Sequence, residues 1–286
     1  MNIGPRALLV AARSGLVRGR IELRQTFTNA ESLWGYLFPS AVLLVVMYFM
    51  RGAKVPGTDF SLGTQTLPST LGMTVAFNGL VSTASILVIE REDGTLLRAK
   101  AIPNGMLGYL IGKILLVSGM NLVSLALLLV PGSLLLDGLH IDGAGRWLTL
   151  LWVVLLGMVA TMPIGAVLGS LISNPRNMGL VVLPVMGLVA ISGIFYPVTA
   201  LPTWLQWLAQ VSPIYWLGLG VRSALLPDGL AAVEIGQSWR HLEVFGALTI
   251  WAMIGLVAAP PVLRRMARRE SGSSVAARRE RVMQRV

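Results

Sequence analysis

The sequence predicts an all-α integral membrane protein: six transmembrane helices, an N-terminal amphipathic interface helix, and short re-entrant outer helices between spans five and six. Three observations carry that expectation. The 286 residues are 55% apolar and only 13% charged, with a mean hydropathy of +0.72. A soluble domain carries about 25% charged residues, so this chain cannot cover its surface with polar groups and the bilayer must be its solvent. Long apolar runs recur at 32–50, 69–89, 107–136, 147–172, 179–199 and 243–263, each at or near the ~20 residues that cross ~30 Å of hydrocarbon. The charge is also segregated. With both termini inside, five of the 23 Lys and Arg residues (Arg51, Lys54, Arg146, Arg222 and Arg240) fall outside and the rest inside. The excess of inner Lys and Arg puts both termini on the cytoplasmic side of the membrane.

Residues 1–31 read as a cytoplasmic amphipathic helix. Leu8, Leu9, Ala12, Leu16, Val17 and Leu23 alternate at helical spacing with Arg13, Arg18, Arg20 and Arg24. Basic amphipathic helices lie along membrane lipid, and the same face can receive a partner. The segment is polar for too long to be a cleaved signal peptide, so the first span is expected to be retained. Residues 32–265 form the six-span domain. Its second span holds Asn78, Ser82, Thr83 and Ser85, which in hydrocarbon either bond a neighbouring helix or face a wet cavity. Pro131 predicts a kink or an early end in the third span. Gly165 and Gly169 in the fourth allow close backbone approach. Between spans five and six, Pro197, Pro202 and Pro213 cut the chain into pieces too short to cross, and Trp204, Trp207, Tyr215 and Trp216 suit the headgroup level. Residues 266–286 form a basic tail that reads as a topology anchor on anionic lipid. No aromatic residue follows Trp251, so the stacking platform of a nucleic-acid arm is missing.

Several chemistries are disfavoured. The chain has no cysteine, hence no disulfide or thiolate site. No Asp, Glu or Arg lies deep in a predicted span, and Lys113 can snorkel to the inner surface. Ion-driven transporters bury ionisable relays, so the energy for uphill transport must come from elsewhere. The one approach to a phosphate loop, Gly108-Tyr109-Leu110-Ile111-Gly112-Lys113-Ile114, has one residue too few between its glycines and Ile114 where Ser or Thr binds Mg²⁺. His140 and His241 are the only histidines and lie far apart. No catalytic, cofactor or metal residue is expected in this chain.

The densest charge between two spans is Glu90-Arg91-Glu92-Asp93-Gly94-Thr95-Leu96-Leu97. Asp93-Gly94 signals a turn, and a short amphipathic helix after it would make a cytoplasmic hook. Glu90 to Leu96, followed by Pro103 and Gly112-Lys113, resembles the E-R-E-x-G-T-L…P…G-K stretch of type-2 ABC exporter permeases. Gly193-Ile194-Phe195-Tyr196-Pro197, Leu201-Pro202-x-Trp204-Leu205, Ser212-Pro213 and Arg222 resemble that family's region between spans five and six. The two stretches stand in the family's order, and the similarity covers residues 5–265, closest to daunorubicin-type antibiotic-resistance exporters. One departure is Leu97, where the family usually has glutamate.

The resemblance implies two permeases, identical or sibling, on two copies of an ABC ATP-binding subunit that holds ATP and Mg²⁺. Glu90, Arg91, Glu92, Asp93, Gly94, Thr95 and Leu96 would seat in a groove of that ATPase, with the helix bearing Arg13, Arg18, Arg20 and Arg24 as a second contact. Asn78, Ser82, Thr83 and Ser192 would line the translocation cleft, and Phe195, Tyr196, Pro197 and Trp204 an outer gate. The cargo would be an amphiphilic drug, antibiotic or lipid. Export of a lipid-linked glycan or endogenous lipid and an ATPase-coupled signalling module are the alternatives; a membrane enzyme lacks its paired carboxylates.

Overall fold

The computed structural model describes residues 5–54, 60–102, 104–194 and 197–269. Among these every named element is helical, and Lys54 and Ser61 form a lone antiparallel bridge. Helices α1 (Pro5–Thr28) and α2 (Ala30–Met50) are separated only by Asn29. The Asn29 N–H donates to the Gln25 carbonyl and its carbonyl accepts from Leu33, both at 3.0 Å, so helical bonding runs across the join. Next come α3 (Leu62–Phe77), a π-helical turn (Asn78–Ser82) and α4 (Thr83–Glu92), which together make one rod, Leu62–Glu92. A short α5 (Thr95–Lys100) leads to α6 (Gly105–Leu135) and α7 (Ala144–Leu171). A 3₁₀ turn (Pro175–Met178), α8 (Gly179–Ile191), α9 (Thr203–Val211), α10 (Pro213–Leu225) and α11 (His241–Arg269) complete the chain.

Among the described residues five helices are long and apolar enough to cross a membrane: Leu33–Met50, Leu62–Glu92, Gly105–Leu135, Ala144–Leu171 and His241–Arg268. The expected fifth span, 179–199, is shorter than the sequence suggested. Its apolar helix occupies Pro175–Ile191 and stops at Ser192-Gly193, where Gly193 takes φ +77°. Pro131 does not end α6, which continues to Leu135. Proline inside an apolar helix is tolerated where neighbouring groups satisfy the freed carbonyl.

Glycine decides how the helices meet. On α7, a methyl group at Gly165 would collide with the carbonyls of Gly79 and Leu80, and one at Gly169 would sit 2.7 Å from the Ala84 carbonyl. The small-residue motif of the fourth span is therefore used within the chain, against the second. Gly72 on α3 approaches Gly218 on α10 so closely that an added Cβ would lie 2.8 Å from the Gly218 Cα. Through that contact and its packing on α7 and α11, α10 is buried along its whole length. Tyr215 and Trp216 are thus buried core residues instead of headgroup anchors, while Trp204 and Trp207 on α9 stay exposed. Sequence composition could not separate the two pairs; the glycine face of α10 does. The α9–α10 hairpin is tied to α11 by the Trp251 Nε1–H donating to the Val211 carbonyl at 2.9 Å.

Candidate functional site

The hook is built at the end of the Leu62–Glu92 rod. Gly94 takes φ +80°, a left-handed conformation that favours glycine. The Asp93 side chain accepts the Thr95 N–H at 2.7 Å, which turns the chain into α5. Arg98 Nη2 donates to the Thr95 hydroxyl at 2.9 Å. Leu96 is buried with Leu87, Tyr109, Leu263 and Met266, so α5 is held by apolar packing against α6 and α11. Arg91 Nη1 donates to the Ser170 and Ile172 carbonyls at 3.4 and 3.3 Å, fastening the rod to the end of α7. Glu92 closes α4 half-buried, and Asp93 is exposed.

Glu90 points inward. Its Oε2 accepts the Tyr109 hydroxyl at 2.6 Å and its Oε1 lies 2.5 Å from Lys113 Nζ. The same ammonium donates to Glu22 Oε2 of α1 at 2.5 Å, and Arg18 Nε donates to Glu22 Oε1 at 2.7 Å. Arg18, Glu22, Lys113, Glu90 and Tyr109 thus join α1, α4 and α6 in one chain of charge-assisted bonds, stronger than neutral ones. Burial disfavours the Glu22 carboxylate, but the bonds from Lys113 and Arg18 outweigh it and hold its pKa below the usual 4.5. Burial likewise works against the Arg18 cation, yet the bond to Glu22 prevails and raises its pKa. A groove of about 490 Å³ beside these groups is also lined by Asn29, Ile86, Ile89 and Asp93.

The N-terminal helix is docked on α6 by its glycines. A Cβ at Gly15 would strike the Gly108 carbonyl, and one at Gly19 would lie 2.7 Å from the Gly112 carbonyl. Arg13, Arg20 and Arg24 face away, exposed, while Arg18 is turned into the charged chain. The four arginines expected to act together are therefore divided.

Three of the polar residues of the second span have partners. Asn78 Nδ2 donates to Asn121 Oδ1 on α6 at 2.9 Å, and the Ser82 hydroxyl donates to Asn78 Oδ1 at 3.2 Å. Thr83 donates to the Asn78 carbonyl at 3.4 Å inside the π-helical turn. Ser192 is fully buried, its hydroxyl donating to the Val189 carbonyl at 2.7 Å, so it faces no open cleft in this conformation. Pro197 is half-buried ahead of a 3₁₀ turn and Trp204 is exposed. Phe195 and Tyr196 lie outside the described residues. Among the described residues no group of three metal-ligating side chains is placed to hold a metal ion.

Two pairings escaped sequence reasoning. Arg222, expected at the outer surface, is fully buried on α10 and makes a two-pronged ion pair with Glu234, at 2.7 Å from Nε and 3.3 Å from Nη2. Its Nη1 also donates to the Ser69 hydroxyl and the Gly193 carbonyl, each at 3.3 Å. Glu22 was missed as well; its signal was a lone carboxylate four residues after Arg18 in a helix of arginines.

The family model described as ABC-2 family transporter protein matches residues 53–254, more than half of the chain and all of the hook. No curated protein matches the sequence significantly. With its helices apolar enough to cross a membrane, the chain belongs to the ABC-2 transporter family as a multi-pass membrane permease, not a nucleotide-binding subunit.

Proposed function

We propose that this chain is the membrane-spanning subunit of an ATP-driven exporter that moves an amphiphilic drug, antibiotic or lipid out of a bacterial cell. Its energy comes from a separate ABC ATPase, two copies of which pair with two permeases. Pro175–Ile191 completes six spans, and both termini and the hook face the cytoplasm. The α9–α10 segment re-enters from the outer side, with Pro197 and Trp204 at an outer gate. Asn78, Ser82 and Thr83 border the cargo path.

The observation that carries this reading is the hook itself. A turn at Asp93-Gly94 is braced from behind on α6, α7 and α11 and through Lys113 on α1, while Asp93 and Arg98 remain exposed. A braced hairpin transmits displacement; a loose one would absorb it. ATP-driven closure of the partner would push the hook and tilt the rod Leu62–Glu92. The permease pair would then rock to an outward-facing state that binds cargo less well.

The decisive test is co-purification with a soluble ATPase followed by vesicle transport. Neutralising the exposed charges with Asp93→Asn, which keeps a side-chain acceptor for the Thr95 N–H, and Arg98→Gln should cut ATP-driven transport several-fold while the permease stays folded. Uphill accumulation by the permease alone, without any ATPase, would sink the reading.

A further inference from the structure

The stretch Gly108 to Lys113 fails as a phosphate loop, and the structure gives its residues another task. Gly108 and Gly112 receive α1 at backbone distance through Gly15 and Gly19. One turn of helix places Tyr109 and Lys113 on a common side of α6, and both reach Glu90 of α4. Lys113 ion-pairs with both neighbouring helices, its ammonium 2.5 Å from Glu22 of α1 and from Glu90 of α4, while the Tyr109 ring lies 5.5 Å from the Arg18 guanidinium of α1.

We propose that Lys113 is a positioning residue that clamps α1 to the hook, so that α1, the base of α6 and α4–α5 move as one body. The glycine contact fixes the distance between α1 and α6, but smooth surfaces in van der Waals contact can still slide or rotate. Ion pairs fix the register. Without the ammonium, Arg18 is left to offset both carboxylates, Glu90 loses its ion-pair partner, and the side of α1 that carries Glu22 is no longer tied to the rod. Lys113 and Glu90 are each less than 15% exposed, so solvent and salt screen the attraction less than at a surface. The family match begins at residue 53; the role of α1 therefore rests on this geometry. Only the link to ATP hydrolysis rests on the exporter reading.

The absence of cysteine makes a direct test clean. Val17→Cys on α1 and Ile102→Cys after α5 replace exposed side chains and accept nitroxide labels in the full-length permease in lipid nanodiscs. Pulsed EPR should give a narrow distance distribution for the parent, one at least twofold wider for Lys113→Met, and a return to the parent width for Lys113→Arg. A parent width in Lys113→Met overturns the proposal, as does a Lys113→Arg distribution as wide as that of Lys113→Met. Should Lys113→Met fail to reach the membrane, Glu22→Gln decides: it must widen the distribution, and a parent width overturns the clamp. In complex with the ATPase, Lys113→Met should lower transport per ATP several-fold with co-purification intact; an unchanged ratio refutes shared motion. A permease that pairs with no ATPase would sink the exporter reading, while the label distances still decide the clamp.

Discussion

Two charge assemblies brace the same rod near its opposite ends, and they are built on opposite terms. At the Ser69 end, Arg222 and Glu234 are withdrawn from solvent almost completely, at 1% and 3% exposure, and meet face to face with further bonds to Ser69 and Gly193. At the hook end, Arg18, Glu22, Lys113 and Glu90 keep between 13% and 36% exposure and pass from helix to helix in single bonds. About 30 Å of helix separates the two. A fully desolvated pair tolerates no loss of a partner, so it suits a joint that must not move. A partly solvated chain loses less when broken, because water can take over. It suits a junction that carries load as one body while staying within reach of solvent and a partner. The difference teaches which joint depends on complete burial and which on a chain of bonds at the surface.

That contrast can be broken most forcefully at Arg222. Replacing it with alanine leaves Glu234 charged and unpaired, a loss of about 3–5 kcal/mol. Thermal unfolding in nanodiscs should show the largest drop of any single charge removal, and Arg222→Met with Glu234→Leu should recover most of it. If Arg222→Ala unfolds at the parent temperature, the far end is no tighter than the hook end.

A smaller effect is expected at the glycine clasp. Gly15→Leu drives a side chain into the Gly108 backbone, an overpacking cost of about 1–3 kcal/mol. Protease cleavage within α1 should accelerate in Gly15→Leu and stay unchanged in Gly35→Leu, where nothing lies within 4 Å of the added carbon. Equal cleavage in both would show that α1 is not held by this face.

The smallest effect is a matter of pH. Because the folded pKa of Glu22 is lowered from 4.5, its contribution is fully present above that value and is lost as pH falls through the folded pKa. Between labels on α1 and the hook, the distance distribution should widen only below pH 4.5. Glu22→Gln should already be wide at neutral pH and show no such acid step; an identical acid response in the two proteins would remove Glu22 from the clamp.

Much of the site could be read before the fold. The turn at Asp93-Gly94 declares itself through residue types that few other conformations accept, and Gly165 with Gly169 announces a close helix contact. Their partners could not be read. Nothing in the spacing of Gly165 and Gly169 points to Gly79 and Ala84, because the contact lies across the bundle and not along the helix. The charges were harder still. Counting positives by loop put Arg222 at the outer surface, since a residue's depth depends on whether a distant carboxylate is folded against it. Glu90 likewise read as an exposed acid on a hook, yet it faces Tyr109 and Lys113.

The sequence by itself determined that this chain lives in lipid, where five of its long helices run, where the hook turns, and which family it belongs to. These properties follow from local composition and short motifs, whose free energies are set within a few turns of helix. Only the tertiary structure decided which glycines face which backbones, why α10 is buried while α9 is not, and how four charges from three helices share one junction. Those outcomes depend on close approach between segments distant in sequence, and a buried charge takes its character from the groups packed around it.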